Sequence, residues 1–266
     1  MLGAMRRVEM DGSRVQNSWN MSLFSARTLV SRACLFLLAQ GLCSTLAQSA
    51  PAAPPKPTPT VVCDRVLEDF SQSKVGAFPK GWRSKDASDM SLATQAGRFV
   101  VEQDGSRKVL HATHRTQAIT IGKTFDGWDL NQYPVLQFQW KVIKLPNGGD
   151  EDSLSKNDCG ASVYGFWDIG FPFSVNSIKY SWSTTLKVGT EISKRLGHDF
   201  VRVMESGNTG VAQWRTVRVD VRADYRRLFK TDDAKPPSGI ALLTDADATQ
   251  SEAEAYYADF RLCRPG

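Results

Sequence analysis

The stretch Tyr133–Pro146, YPVLQFQWKVIKLP, decides how this chain folds. Leu136, Phe138, Trp140 and Val142 alternate with Gln137, Gln139 and Lys141. A period of two is the signature of a strand with one face in a core and the other toward water. The turn cluster Pro146-Asn147-Gly148-Gly149 then ends it. The same alternation recurs downstream. In Ser177–Thr184, Ile178, Tyr180 and Trp182 oppose Lys179, Ser181 and Ser183. In Trp214–Val221, Val217, Val219 and Val221 oppose Thr216, Arg218 and Asp220. In Ala255–Leu262, Tyr256, Ala258, Phe260 and Leu262 oppose Tyr257, Asp259 and Arg261. Further strands are expected at Val62–Phe70, Arg98–Glu102, Lys108–Thr113, Ala118–Gly122, Ser162–Trp167, Phe200–Met204 and Gly239–Thr244. One short helix is expected near Arg222–Phe229. Many short strands, each with one polar face, predict an all-β fold: antiparallel sheets packed as a β-sandwich or jelly roll.

Ahead of these strands, Met21–Ala47 reads as a secretion leader. Arg27 and Arg32 form a basic head, Ala33–Leu46 an apolar core, and Thr45 and Ala47 the small residues of a cleavage site. The apolar run is interrupted by Gln40 and is short for a membrane span, which takes about 20 residues. An exported product, periplasmic or extracellular and without an integral membrane segment after cleavage, is expected. Met1–Asn20 carries no apolar periodicity and reads either as a gene-model extension before a start at Met21 or as a long basic head. Residues 48–60, rich in proline, read as an extended linker, and residues 61–266 as a single β-sandwich domain.

The formal charge of +5 belongs largely to the leader, since residues 1–47 hold five arginines against two acids. The remaining chain is nearly balanced and lacks the basic patch that nucleic acid requires, so no nucleic-acid partner is expected. Cys63, Cys159 and Cys263 follow the leader, without a CxxC pair. Cys63 and Cys263 bracket the folded region and are expected either as one disulfide or as two separate thiols. Of the three histidines, His111 and His114 are spaced to face opposite sides of a strand, and no GxSxG or HExxH motif is present. Histidine-based hydrolysis and zinc chemistry are therefore not expected.

Two kinds of side chain carry the functional expectations. Asp245 and Asp247, just past an apolar strand, could face one side, with Asp158 beside them in a loop that also holds Asp150, Glu151 and Asp152. Such hard oxygen ligands suit Ca²⁺, or a carboxylate pair of the kind glycosidases use; turn chemistry explains them equally well. The aromatics Trp82, Trp128, Trp140, Trp167, Trp182, Trp214, Tyr164, Tyr180 and Tyr257 are plentiful. Trp140 and Trp182 read as core from their phase. A sugar site is expected where Gln137, Gln139, Lys141 and Arg218 share a polar strand face with aromatics such as Tyr164 and Tyr257.

The segments FPKGW (Phe78–Trp82), YPVLQFQWKVIKLP (Tyr133–Pro146), NDCGASVYGFW (Asn157–Trp167), SIKYSWS (Ser177–Ser183), ESGNTGVAQWRTVRVDVRADYRRLF (Glu205–Phe229), GIALLTDADAT (Gly239–Thr249) and YYADF (Tyr256–Phe260) stand in this order. In that order the chain resembles the bacterial family called Domain of Unknown Function 3047. The resemblance implies an exported jelly roll with no assigned activity. More distantly, Asp69-Phe70 with the closing YYADF strand is similar to galactose-binding-like jelly rolls, among them carbohydrate-binding modules and a complex I assembly-factor family. That likeness implies a structural metal site joining Asp69 and Asp259, and first and last strands side by side, which would pair Cys63 with Cys263. The chain departs from the family pattern at Ser162 and Val219, where arginines are favoured, and at Ala248, where asparagine is favoured. A site built on those side chains is not expected here in the same form. Three functions follow from these readings: a non-catalytic glycan-binding domain, a carboxylate-dependent enzyme acting on polysaccharide, and an envelope assembly or scaffold protein.

Overall fold

The computed structural model describes residues 60–84, 87–95, 97–115, 118–170 and 174–266. The leader and nearly all of the linker lie outside the described residues. Twelve strands form two six-stranded sheets. Sheet A has the order β10 (Arg215–Asp220), β5 (Val135–Lys144), β12 (Ala253–Pro265), β3 (Arg107–His114), β2 (Phe99–Asp104), and β1 (Val61–Glu68) pairs with β12. Sheet B has the order β4 (Ile121–Thr124), β11 (Gly239–Asp245), β6 (Cys159–Gly170), β7 (Ser174–Ser183), β9 (Asp199–Ser206), β8 (Glu191–Lys194).

Alternation along each strand builds the core. Leu136, Phe138, Trp140 and Val142 of β5 turn inward, as do Ile178, Tyr180 and Trp182 of β7, and all are fully buried. Trp140 and Trp182 meet across the two sheets with ring centroids 6.0 Å apart. Truncating a fully buried tryptophan of this kind to alanine costs about 3–5 kcal/mol. A disulfide joins Cys63 of β1 to Cys263 of β12, and Cys159 remains a free, buried thiol.

Each expected strand is present, the one expected at Ala118–Gly122 being displaced to Ile121–Thr124, and one strand, β8, is added. β8 is only four residues long, too short for a period to show. Because β8 runs out along the sheet edge and turns back through the 3-10 turn Arg195–Gly197, β9 lies parallel to β7 rather than antiparallel. A second helix, α1 (Ala87–Ala93), adds to the expected one, α2 (Val221–Leu228). Asp220 caps α2 by accepting the Ala223 N–H at 2.8 Å. Tyr225 and Phe229, the last just past the helix, pack on Trp167 at ring distances of 4.7 and 6.0 Å. Asp224, also buried, accepts two hydrogen bonds from Arg202 Nη1 and one from the Tyr180 hydroxyl. No helix among the described residues is long and apolar enough to cross a membrane.

Candidate functional site

The outer face of sheet A gathers Gln137, Gln139, Lys141 and Arg218, as their alternation requires. Arg218 and Gln137 are cross-strand partners, and so are Lys141 and Tyr256. The groups on this face are largely spent on one another. Arg218 Nε donates to Gln137 Oε1 at 2.8 Å, and Arg107 Nη1 donates to Gln139 Oε1. The Lys141 ammonium sits 4.4 Å from the Tyr256 ring and 5.0 Å from that of Trp214. His111 stacks 4.3 Å from Tyr256, the Arg107 guanidinium lies 4.4 Å from Trp214, the two rings meet edge to face at 6.4 Å, and Trp214 Nε1 donates to Asp104 Oδ2 at 3.0 Å. His111 in turn bridges Glu102 and Glu254 at 2.8 and 2.9 Å, while His114 is buried on the inner side of the strand.

Tyr257 is not on that face. It is fully buried, its hydroxyl donates to Leu243 O at 3.0 Å, accepts the Ser162 N–H at 3.2 Å and meets the Thr244 hydroxyl at 2.8 Å. The cause is a bulge. Asp259 has φ of 55°, and β12 places four residues, Ala258 to Arg261, against three of β5, Gln137 to Gln139. The extra residue puts Tyr257 on the inner side together with Phe260 and Leu262. Asp69 and Asp259 do line one cleft, of about 450 Å³, with Arg107, Lys108 and Arg261. There Asp259 is bonded by Arg261 Nε at 2.6 Å and Asp69 accepts the Ser71 N–H at 2.9 Å, so two acids share the space with three bases.

Sheet B has a different outer face. Cross-strand pairs place Tyr164 beside Ala241 and Lys179, Phe166 beside Gly239 and Ser177, Ser162 beside Leu243 and Ser181, and Cys159 beside Asp245. From Phe166 to Cys159 this row runs roughly 20 Å at the rise of a strand. Its Phe166 end opens into a cleft of about 410 Å³ lined by Tyr164, Phe166, Gly122, Ala241, Arg83 and Lys123. Gly239 is needed beneath it, because a Cβ there would lie 2.2 Å from the Lys123 carbonyl oxygen and 2.6 Å from the Phe166 ring.

The other end of the row is ionic. Asp158, Asp245 and Asp247 converge, each offering a carboxylate oxygen within 4.8 Å of the others. Asp158 uses both oxygens to hold the loop after β11, accepting the Ala248 N–H at 3.1 Å and the Thr249 N–H at 2.6 Å. Asp245 is 3% exposed, and its nearest donor is the Asp247 N–H at 3.5 Å. Burial, with Asp247 and Asp158 alongside, pushes its carboxyl up to about 7 against the opposing pull of Lys179. This trio is the one set among the described residues that could hold a metal ion through three acidic, histidine or cysteine ligands.

Lys179 is the residue that sequence reading did not single out. It is 6% exposed. It lies 5.8 Å from the Tyr164 ring centre. Burial alone would lower its pKa, but the facing Cys159, Tyr164, Glu151 and Asp245 hold it well above the usual lysine range. Burial raises the Cys159 thiol to about 11 and the Tyr164 phenol to about 12. Both are uncharged at neutral pH. Glu151, fully buried, is held by the Ser181 and Ser183 hydroxyls. The available signal was the polar phase of β7, Lys179-x-Ser181-x-Ser183, on a strand that is buried on both faces.

Three solved structures illustrate the likeness of the fold. The family 11 carbohydrate-binding module of a cellulosomal cellulase from Clostridium thermocellum aligns over 74% of this chain and 92% of its own, at 9% identity and a TM-score of 0.39. A family 28 carbohydrate-binding module described as specific for non-crystalline cellulose aligns over the same shares at 8% identity and a TM-score of 0.39. The endoglucanase 3 of Trichoderma harzianum, from glycoside hydrolase family 12, aligns over 80% of this chain and all of its own at 10% identity and a TM-score of 0.37. At these scores the likeness carries no argument about ligand or activity. No curated protein sequence matches the chain. A family model, "Protein of unknown function (DUF3047)", matches residues 80–261. That span covers most of both sheets, and the chain belongs to this family.

Proposed function

We propose that this chain is an exported, non-catalytic domain that binds a glycan along the outer face of sheet B. The observation that carries the reading is the cleft of about 410 Å³ on that face, floored by Tyr164 and Phe166 with Arg83, Ser84 and Lys123 around them. Tyr164 and Phe166 offer ring surface for the apolar faces of sugar rings. Export is supported by the leader-like residues 21–47 and by the disulfide, a bond that persists in oxidising compartments.

A carboxylate-dependent hydrolase needs two carboxyl groups facing each other across the bound sugar, roughly 5–10 Å apart. The three aspartates instead crowd within 4.8 Å, and Asp158 is occupied by two backbone N–H groups. Two experiments test the proposal. Intact-mass measurement of exported material is expected to give a chain starting near Gln48; a product retaining Phe36 would refute export by this leader. A glycan array followed by calorimetry is expected to find an oligosaccharide whose binding is lost in Tyr164→Ala. Loss in Trp214→Ala instead would move the site to sheet A, and cleavage of any polysaccharide would overturn the non-catalytic reading.

A further inference from the structure

The cleft floored by Tyr164 and Phe166 is formed by four neighbouring strands of sheet B and one segment outside it. Across the sheet, Gly122 of β4 pairs with Ala241 of β11, Ala241 with Tyr164 of β6, and Tyr164 with Lys179 of β7. The small residues Gly122 and Ala241 leave open the space beside the Tyr164 ring, about 5 Å for each strand crossed. The far wall is the segment Gly81–Ser84, held against the edge of β4. Arg83 and Gly122 exchange both backbone hydrogen bonds, at 2.8 and 2.7 Å, and Ser84 Oγ donates to Thr120 O at 2.7 Å. These bonds fix the point from which the Arg83 side chain reaches the cleft.

The charge of this lining is one-sided. Among the described residues it carries Arg83 and Lys123 and no acidic side chain. Lys123 is already paired: its ammonium lies 2.6 Å from Glu68 Oε2, and Glu68 is buried, with its other oxygen accepting the Phe70 N–H at 2.7 Å. Arg83 is exposed, and its guanidinium makes no hydrogen bond or ion pair among the described residues. Resting on the glycan reading above, we propose that this cleft is specific for an acidic sugar, and that Arg83 binds the carboxylate of a uronic acid residue whose ring lies against Tyr164. A guanidinium is a flat fork that meets a carboxylate with two parallel N–H···O bonds. A cleft lined by one sign of charge also concentrates ligands of the other sign. A neutral sugar makes the ring contact and gains nothing from the charge. The volume of about 410 Å³ lies within the range of small-ligand sites.

The test is calorimetry on the exported protein with oligogalacturonate, oligomannuronate and oligoglucuronate, and with the methyl ester of each, which keeps the sugar and removes the charge. At least one uronate is expected to bind about tenfold or more tightly than its ester, the range for a charge-assisted hydrogen bond, and to weaken as salt rises. Arg83→Gln changes an exposed side chain, leaves the backbone pairing with Gly122 in place, and is expected to abolish the advantage of the acid over the ester. Tyr164→Ala is expected to weaken both forms alike. Esters or cellohexaose binding as tightly as the acids would overturn this inference while the glycan reading stands. So would an acid preference that survives Arg83→Gln. A sulfated galactan oligosaccharide preferred to every uronate would overturn the carboxylate assignment. Absence of heat with every sugar would overturn both the inference and the glycan reading.

Discussion

Replacing Asp245 by asparagine should stabilise the protein in alkaline solution and leave it unchanged in acid. The carboxyl is 3% exposed, and burial with two neighbouring aspartates raises it from an ordinary 3.8 to about 7. A folded state that holds a proton more tightly than the unfolded chain is favoured by that group at low pH. The contribution is fully present below about pH 4 and is lost as pH rises through about 7. Three pK units at 1.36 kcal/mol each set a ceiling of roughly 4 kcal/mol, and relaxation around a coupled group reduces it. About half of that ceiling corresponds to a rise of roughly 4–8 °C in Tm for a domain of this size. Asparagine keeps the oxygen that accepts the Asp247 N–H and removes only the charge. The assay is thermal unfolding of both proteins in chelator from pH 3.5 to pH 8.5. The curves should meet near pH 4 and separate up to about pH 7, with the wild type below the variant, and run parallel above it. Curves parallel over the whole range, or a wild type that gains on the variant with rising pH, would refute the account of a buried, proton-holding carboxylate.

Other parts of the fold make separate predictions. Arg202→Ala removes two hydrogen bonds from the buried Asp224, which keeps the Arg227 guanidinium at 3.0 Å and the Tyr180 hydroxyl at 3.2 Å, and should cost about 1–3 kcal/mol in urea unfolding; a loss under about 0.5 kcal/mol would mean water or Arg227 takes its place. The variant Cys63→Ser/Cys263→Ser frees the two ends of a 200-residue separation and should lose about 2–5 kcal/mol relative to the oxidised protein, whereas an unchanged midpoint would show that strand pairing alone holds β1 in place. Millimolar Ca²⁺ should leave Tm nearly unchanged, because both oxygens of Asp158 are engaged by backbone N–H groups. A clear rise with Ca²⁺ that disappears in Asp245→Asn/Asp247→Asn would make the trio a metal site.

The strands were legible because their information is local. In Tyr133–Pro146 each side chain declares its face by its own polarity, and the structure buries Leu136, Phe138, Trp140 and Val142 accordingly. The same alternation put Gln137, Gln139, Lys141 and Arg218 together on one face, and the i, i+2 spacing put Asp245 near Asp247. Local reading failed where one residue changed the phase. The left-handed backbone at Asp259 inserts an extra residue into β12 and turns Tyr257 inward, and no polarity pattern announces such a bulge.

What sequence alone determined is therefore the two-residue period: an all-β chain, its core aromatics, and the polar set on each strand. Tertiary structure alone decided which polar sets are satisfied. On sheet A, Arg218 finds Gln137, Arg107 finds Gln139, and Lys141 finds Trp214 and Tyr256 across neighbouring strands. On sheet B, a loop carries Glu151 onto Ser181 and Ser183, Asp158 meets a turn distant in the chain, and Lys179 lies buried beside the Tyr164 ring. Strand polarity depends on neighbours two residues away, whereas the satisfaction of a buried charge depends on partners that only long-range pairing brings within about 3 Å.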